Sequence, residues 1–228
     1  VISGATTTAF GMHPPEPFPR YEMPAVRFTG IEPVVVSGPG QPHLDVAKPF
    51  SLSYWIRPEN ETVTGAVAAR MNPQQKFRGW DVWLEDGRPG IHLIDAWPDN
   101  AIKVVAGPAL PVNRWNHVVL TYDGSLKAKG VGIYVNGEKV SVATAMDTLK
   151  PDSNNSPSTD FHFGARLGKQ SKTVFALDEF RIYDRALPQG QVGQLNNGSV
   201  ILALNTPAEK RSEAQAAALN AHYFTNID

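Results

Sequence analysis

The chain has 228 residues, a formal net charge of −1 and 42% hydrophobic residues, which suits one all-β domain with appendages and a sizeable core. Its charges are balanced along the length, which argues against nucleic-acid binding and against a polybasic membrane contact. The absence of cysteine excludes disulfides and thiolate metal sites. No apolar run approaches the ~20 residues of a membrane span, so we expect no membrane insertion.

The first 24 residues form a proline-rich N-terminal segment with little periodicity. This composition predicts a linker, or a segment that lies across the surface of the domain. The opening residues Val1-Ile-Ser-Gly-Ala5 do not form a signal peptide, and we expect the chain to be an internal piece of a longer precursor.

Short strands separated by turns fill the middle of the chain. Residues 50–57 are apolar at every second position, and Asp86-Gly87 and Asn136-Gly137 are strong hairpin signals. Strands are predicted at residues 26–28, 34–36, 50–57, 65–70, 79–85, 90–96, 101–106, 115–122, 131–135, 139–145, 161–165 and 174–183. About a dozen short strands without a helix between them predict an antiparallel two-sheet β-sandwich.

Helix is predicted only at the C-terminal end of this all-β chain. Residues 188–195 fit one turn or two, and a capping box opens at Ser212. It leads into a segment with Ala216, Leu219 and Tyr223 on one face. We therefore expect a short helical tail that docks on a neighbour.

The late strand at 174–183 carries one residue that looks out of place. Alternation puts Asp178 on the same face as Phe180 and Ile182, which predicts that its carboxylate points into the core. A buried lone carboxylate is costly unless it is hydrogen-bonded, paired or bound to a cation. We expect backbone N–H groups, or else a calcium ion with its six to eight oxygen ligands, to hold Asp178. Weaker metal-ligand candidates are Asp45, Asp160 and Asp184.

Aromatic and polar residues concentrate between positions 79 and 100. Val82 and Leu84 face the predicted core, so Trp83 faces outward, and the same alternation leaves His92 outward. Indoles stack on the C–H faces of sugars while carboxylates and amides bond the hydroxyls. The predicted carbohydrate-binding residues are Trp97, Trp83, His92, Asp95, Asn100 and Asp81.

Other interpretations of the tryptophans and histidines stay open. Trp97-Pro98 also fits a packed corner, and Trp80 and Trp115 also fit the core. Trp55 faces away from the core, where it either joins a binding surface or lies under the N-terminal segment. We expect His117 to be an exposed strand residue, because no second His lies at metal-ligand spacing.

Catalysis is not expected from the carboxylates. Asp81 and Glu85 share the outer face of one strand at a Cα separation of roughly 13 Å, whereas retaining glycosidases hold their two carboxyls ~5–5.5 Å apart. A Glu-x-Asp-x-x-Glu pattern of the kind found on one strand of some glucanases does not occur in the sequence, nor do the nucleophile-elbow, zinc-protease or phosphate-loop motifs.

Four ordered motifs carry a family resemblance: Phe50-Ser-Leu-Ser-Tyr-Trp-Ile-Arg-Pro58, Trp115-Asn-His-Val-Val-Leu-Thr-Tyr-Asp-Gly124, Ile133-Tyr-Val-Asn-Gly137 and Leu177-Asp-Glu-Phe-Arg-Ile-Tyr-Asp-Arg-Ala-Leu187. Together they resemble laminin-G-like, concanavalin A-like lectin jelly-roll domains. The resemblance implies two curved sheets, a glycan- or protein-binding role in exported proteins and, in many members, a structural calcium near the residue matching Asp178. The chain has Phe28-Thr29-Gly30 where the family often has Phe-Asp-Gly, which removes a second acidic ligand.

Two further stretches, Trp97-Pro-Asp-Asn-Ala-Ile102 and Tyr122-Asp-Gly-Ser-Leu-Lys-Ala-Lys-Gly130, are similar to the version embedded in large planctomycete proteins with a cytochrome c-like domain. This resemblance implies three parts: the Pro-rich N-terminal segment (1–24), a laminin-G-like β-sandwich (25–196), and a helical C-terminal extension (197–228) that is the stub of the next domain.

The sequence therefore predicts a non-catalytic carbohydrate-binding module of a larger exported bacterial protein, in the periplasm, at the cell surface or secreted. Its expected partner is a polysaccharide or glycan, with other domains of the same protein as further partners and calcium as a structural cofactor. The alternative is a structural or protein-interaction β-sandwich without a glycan ligand. A glycoside hydrolase of concanavalin A-like fold comes third.

Overall fold

A computed structural model describes residues 2–3, 7–12, 23–30, 33–166, 173–204, 206–211, 215–217 and 219–220. Within them the strands, in chain order, are β1 Ile2–Ser3, β2 Thr7–Met12, β3 Met23–Phe28, β4 Val34–Val36, β5 Phe50–Pro58, β6 Gly65–Asn72, β7 Arg78–Glu85, β8 Arg88–Ala96, β9 Asn100–Ala106, β10 Asn116–Tyr122, β11 Val131–Val135, β12 Glu138–Lys139, β13 Val142–Asp147, β14 Phe161–Phe163 and β15 Phe175–Tyr183. The helices are α1 Gln189–Leu204 and three 3-10 turns, Pro73–Gln75, Ala128–Gly130 and Ala208–Lys210.

The strands form two antiparallel sheets. The first sheet has the order β1-β4-β14-β6-β7-β8-β9-β13, and the second has the order β12-β11-β10-β5-β15-β3-β2. One apolar core lies between them and contains side chains from both sheets, including Tyr54 of β5 and Trp80 of β7, both fully buried. The predicted all-β, two-sheet sandwich is confirmed.

Alternation decides which side chains enter the core. On β5, Leu52 and Ile56 belong to the core, whereas Ser53 and Trp55 lie on the outer face of the second sheet. Each fully buried large apolar side chain contributes about 1.5–3 kcal/mol to folding. The period-2 pattern of residues 50–57 therefore fixes both the orientation and much of the stability of this central strand.

The N-terminal segment contains strands that the sequence does not predict. β1 pairs with β4 at the edge of the first sheet, and β2 pairs with β3 at the edge of the second. The linker prediction for residues 1–24 therefore fails at these two stretches. Residues 13–22 lie outside the described part of the chain.

A β-bulge in β15 corrects the expected position of Asp178. Asp178 pairs with Trp55, and the register against β5 shifts directly after it. The backbone of Glu179 is left-handed (φ 49°), and one inserted residue moves the following side chains to the other face. Phe180 therefore packs against the core, while Asp178 lies on the outer face of the second sheet. The prediction that Asp178 points into the core is wrong.

Helix α1 is longer than the one or two turns predicted at residues 188–195. It continues through residue 196, where the sequence predicts a domain boundary. Its Val192 is fully buried and packs with Val119 of the second sheet. Because the helix is rich in Gly and Asn, which are weak helix formers, this tertiary contact supplies the stability that local propensity does not.

Residues near the C-terminus cover another part of the same outer face. Ala217 and Leu219 pack against a cluster that contains Trp55 and Trp115. His117 stacks beside Trp55 and is only 2% exposed. The prediction of an exposed His117 is therefore wrong, because the face on which it lies is covered by the chain itself.

The contacting stripe of this C-terminal segment also differs from the prediction. Ala216 is exposed, and its neighbour Ala217 makes the contact instead. Tyr223 and the capping box at Ser212 lie outside the described residues. In the described part of the chain, no helix has both the length and the apolar character needed to cross a membrane.

Candidate functional site

The outer face of the first sheet carries a polar row that crosses three strands. Asp81 of β7 lies opposite His92 of β8, which lies opposite Lys103 of β9. The neighbours of each along its strand point into the core, so alternation alone places these three polar groups on the outer face.

Asp81 anchors this row although it is fully buried. Its Oδ1 lies 2.7 Å from Nδ1 of His92, and its Oδ2 accepts from Nε of Arg166 at 2.5 Å. Burial alone would raise the pKa of the Asp81 carboxyl, but the adjacent Arg166 guanidinium and His92 ring together lower it to about 2. An ionised Asp81 only accepts, so Nδ1 of His92 carries the hydrogen and Nε2 is left for the space above the sheet.

Aromatic rings surround the polar row. The Arg166 guanidinium carbon lies 4.1 Å from the centre of the Trp83 ring, a cation–π contact, and 6.0 Å from that of Phe77. His92 makes edge contacts with Trp83 on one side (ring centroids 5.8 Å) and with Trp97 on the other (5.7 Å).

Gly90 leaves the position opposite Trp83 without a side chain. A Cβ atom there would lie 2.7 Å from the carbonyl oxygen of Val104, closer than such atoms approach. Gly90 therefore allows the strands to approach closely beside the indole of Trp83.

Trp97 stands on the corner between β8 and β9. Its backbone N–H donates to the carbonyl of Lys76 (2.8 Å), and the following peptide bond to Pro98 is cis. The indole packs on an apolar patch formed by Met71, Ile94 and Ala101 and stays half-buried. One side of the ring is thus supported while part of it remains accessible, as a stacking platform requires.

Asp95 and Asn100 hold this corner in place. Asp95 pairs with Arg78 (2.8 Å) and accepts from Nδ2 of Asn100 (2.8 Å). Oδ1 of Asn100 accepts from the backbone N–H of Lys150 (3.0 Å) and from the hydroxyl of Ser153 (2.7 Å). These two predicted site residues therefore bond to neighbouring chain segments, and they support Trp97 instead of lining the space beside it.

A cavity of about 240 Å³ opens between the rings and the polar row. Its lining consists of Thr64, Phe77, Trp83, Glu85, His92, Ile94, Trp97, Lys103 and Arg166. The structure thus brings together three of the predicted residues, Trp83, His92 and Trp97, with Asp81 buried beneath them.

Sequence reasoning missed several lining residues, of which Lys103 and Arg166 are the most polar. Lys103 could have been found, because it alternates with the core residues Ile102 and Val104 on β9. Arg166 comes from the turn after β14, 85 positions from Asp81, and no local pattern in the sequence points to it.

A second cavity, of about 450 Å³, lies at the edge of the sandwich between the β4–β5 connection and the end of β15. Asp45 and Asp184, two of the weaker metal candidates, both line it together with the exposed Ile182. Asp45 caps the backbone N–H of Ala47 (2.9 Å). The third candidate, Asp160, lies elsewhere and accepts from Gln41 (2.7 Å).

The surroundings of Asp178 fit calcium poorly. Its Oδ1 accepts from the backbone N–H of Glu179 (2.8 Å), and its strand neighbours are Trp55 and Ala176. Burial raises the pKa of Asp178 to about 6. Among the described residues no three His, Asp or Glu side chains converge on one point. A calcium ligand role for Asp178 stays a prediction.

The two carboxylates weighed for catalysis are both ion-paired. Asp81 bonds to Arg166 and His92, and Glu85 bonds to Lys103. Two carboxyl groups that act on one glycosidic bond must both reach the substrate, and Asp81 is fully buried. This geometry supplies no pair of the kind that glycoside hydrolysis uses.

The chain is similar to parts of clostridial toxins. Botulinum neurotoxin type X of Clostridium botulinum is 26% identical over 153 residues, which cover 65% of this chain and 11% of the toxin. Paraclostridial mosquitocidal protein 1 of Paraclostridium bifermentans is 24% identical over 161 residues, 65% of this chain and 12% of that protein. The chain thus spans only a small part of the relatives it matches.

Solved structures of toxin binding domains share the fold. The binding domain of Paraclostridial Mosquitocidal Protein 1 superposes with a TM-score of 0.59 at 22% identity, over 77% of this chain and 44% of that one. The binding domain of botulinum neurotoxin serotype G gives a TM-score of 0.54 at 19% identity, over 84% of this chain and 46% of that one.

The family match covers most of the sandwich. Residues 34–193 match the family model described as the concanavalin A-like lectin/glucanases superfamily. This span includes β4 to β15 and the start of α1, and therefore both sheets and the cavity on the first. The chain belongs to the concanavalin A-like lectin/glucanases superfamily.

Proposed function

We propose that the chain is a non-catalytic carbohydrate-binding module of a larger exported bacterial protein. One observation carries the proposal: an open cavity on the outer face of the first sheet combines the half-buried indole of Trp97 with the polar groups of His92, Lys103 and Arg166. Aromatic surface beside fixed polar groups is the combination that sugar recognition needs.

The dimensions of the cavity favour a single sugar ring. A volume of about 240 Å³ lies just below the ~300–1,000 Å³ of pockets for drug-sized ligands. The C–H face of a sugar would stack on Trp97, and its polar edge would meet His92 and Arg166. The buried Asp81 contributes indirectly, since it fixes the ring orientation and tautomer of His92.

The toxin relatives support a binding role in an exported protein. The solved structures that share the fold are binding domains, and the sequence relatives are a neurotoxin and a mosquitocidal protein. For this chain we propose an extracytoplasmic location and, from the cavity, a glycan partner. The planctomycete context stays a prediction.

Affinity electrophoresis through a panel of soluble polysaccharides tests the proposal. We expect at least one polysaccharide class to retard the protein, and Trp97→Ala to lose at least about fivefold in affinity, since stacking on an aromatic platform contributes on the order of 1–3 kcal/mol. Val142→Ala, an exposed residue at the edge of the same sheet, is the matched control and should bind as the parent does.

Each gel is run with and without EDTA. Because the described ligands around Asp178 fit calcium poorly, retardation should not change when divalent cations are removed. Absence of retardation across the whole panel would contradict carbohydrate binding, and equal retardation of the Trp97→Ala and Val142→Ala variants would place the binding elsewhere.

A structural or protein-interaction module is the second candidate, and one observation favours it. The outer face of the second sheet buries Trp55 and Trp115 against Ala217 and Leu219. The sandwich therefore already uses one aromatic face for a contact within its own chain. The same electrophoresis separates the two candidates, because a purely structural module is not retarded by any glycan.

A further inference from the structure

The Arg166 guanidinium is held by Asp81 and by the ring of Trp83, and it lines the cavity. Nε donates to Asp81, the flat face lies over Trp83, and Nη2 lies 3.4 Å from Nδ1 of His92, which itself carries a hydrogen. No described residue offers an acceptor to Nη1. The side chain is 17% exposed and lines the cavity.

The acceptor side chains in the cavity already have cationic or donor partners. Glu85 is bonded by Lys103 and lies 3.6 Å from Arg88. The hydroxyl of Thr64 donates to Oδ1 of Asp86 (3.2 Å) and accepts from the backbone N–H of Asp86 (2.9 Å). The remaining polar side chains of the lining include His92, whose Nδ1 already bonds to Asp81.

The guanidinium fork of Arg166 discriminates between ligand groups. A sugar hydroxyl that accepts from arginine must also place its own hydrogen on an acceptor, or it loses a hydrogen bond that water provided. A carboxylate or sulfate oxygen only accepts, and its geometry matches the fork of a guanidinium.

We propose that this cavity selects a sugar that bears an anionic group, with the carboxylate or sulfate on the outer edge of Arg166 and the ring against Trp97. The inference rests on the proposed carbohydrate-binding function and deepens it. Binding of the anion requires no metal ion, because the guanidinium fork of Arg166 supplies the hydrogen-bond donors for it.

Matched pairs of ligands test the inference on the parent chain, by isothermal titration calorimetry in EDTA. One pair is an oligogalacturonate and its methyl ester, which differ only in the charged carboxylate. The other is a dextran sulfate fragment and the corresponding dextran. We expect the charged member of one pair to bind at least about tenfold more tightly than its uncharged counterpart, and the pair that shows this difference identifies carboxylate or sulfate.

Arg166→Lys is the matched variant, because it keeps the positive charge beside Asp81 and removes the fork. It should reduce the preference for the charged ligand by about tenfold and weaken binding of an uncharged ligand by a smaller factor. Circular dichroism before each titration shows whether the variant is folded. If it is not folded, the paired ligands on the parent chain still test whether the cavity selects an anionic sugar.

Two results would overturn the inference. If the neutral polysaccharides that retard the protein bind as tightly as every charged ligand, the carbohydrate-binding function stands and the selection of an anion fails. If neither charged nor neutral glycans bind, both proposals fail together.

Discussion

The outer faces of the two sheets carry similar side chains in opposite surroundings. On the first sheet, His92 lies between Trp83 and Trp97 and lines an open cavity. On the second sheet, His117 lies beside Trp55, within a face that the C-terminal residues cover. The same residue types therefore produce a candidate binding site in one place and a packed interface in the other, and what lies above the sheet makes the difference.

The hydrogen bonds below each histidine differ as well. His92 has the ionised carboxylate of Asp81 at Nδ1, whereas His117 has the hydroxyl of Ser53 at Nε2 (2.9 Å), and its Nδ1 has no hydrogen-bond partner among the described residues. A carboxylate orients a histidine for contact with a ligand. A histidine that is buried without a carboxylate is held neutral instead, which suits an interface better than a site.

Removal of Asp81 should have the largest effect on stability, because its buried carboxylate bonds to both His92 and Arg166 on the first sheet. Asp81→Ala leaves Arg166 and the buried His92 without their shared partner, and the loss of one member of a buried ion pair costs about 3–5 kcal/mol. Urea denaturation at pH 7 measures this loss. Glu85→Gln is the control, since it removes a more exposed ion pair with Lys103 and should cost less than about 1 kcal/mol. Equal losses in the two variants would show that Asp81 does not anchor the face.

The pH dependence of stability tests the outer face of the second sheet, which the C-terminal residues cover. There His117 and Asp178, whose ionised forms carry opposite charges, lie on either side of Trp55. Burial, together with the charge of Arg181, lowers the pKa of His117 to about 4, so the stability present above its unfolded pKa of about 6.5 is lost as the pH falls toward 4. Burial raises the pKa of Asp178 to about 6. Its contribution to stability is greatest below its unfolded pKa of about 3.9 and is lost as the pH rises through 6.

The two titrations should largely offset each other between pH 6.5 and 4. Asp178→Asn removes the compensating group, so this variant should lose up to about 3 kcal/mol over that range while the parent chain changes little. Urea midpoints at three pH values between 7 and 4 measure the difference. The double variant with His117→Gln should again be insensitive to pH, and a flat profile for Asp178→Asn alone would contradict the buried, neutral state of His117.

The smallest effect on stability is expected for a substitution in α1, which covers part of the outer face of the second sheet. Val192→Ala removes two carbon atoms from the fully buried contact between α1 and the second sheet, which should cost about 1–2 kcal/mol. Ligand binding on the first sheet should be unchanged, because the two outer faces share no residues. A variant that weakens glycan binding as well would show that the faces are coupled and that the comparison is too simple.

The sequence predicts both sheets and the face of most side chains because alternation has a period of two. That pattern places Trp83 and His92 on the outer face without any knowledge of tertiary structure. It fails at Asp178, because the bulge at Glu179 has no glycine to mark its left-handed backbone. Because of this inserted residue, the side chains before the bulge lie on the opposite face from the one that alternation with the later residues predicts.

The candidate site is only partly visible in the sequence, for a different reason. Trp83, His92 and Trp97 come from one hairpin and its corner, so they are close in the chain. Arg166 reaches Asp81 from a turn far along the chain. The alternation of side chains along one strand contains no information about which distant turn packs on that strand. For the same reason the pattern cannot distinguish the open His92 from the covered His117.

The residues around the cavity form two groups: a buried foundation beneath it, which includes Asp81, and a rim of more exposed side chains. Gly90 and the bonded pair of Asp81 and His92 belong to the foundation, where any substitution disturbs the sheet. The rim, which includes Thr64, Glu85 and Lys103, consists of side chains that are exposed or only partly buried on the outer face of the sheet. Ligand preference can therefore be redesigned, or can diverge among homologous modules, by substitution of rim residues while the foundation stays the same.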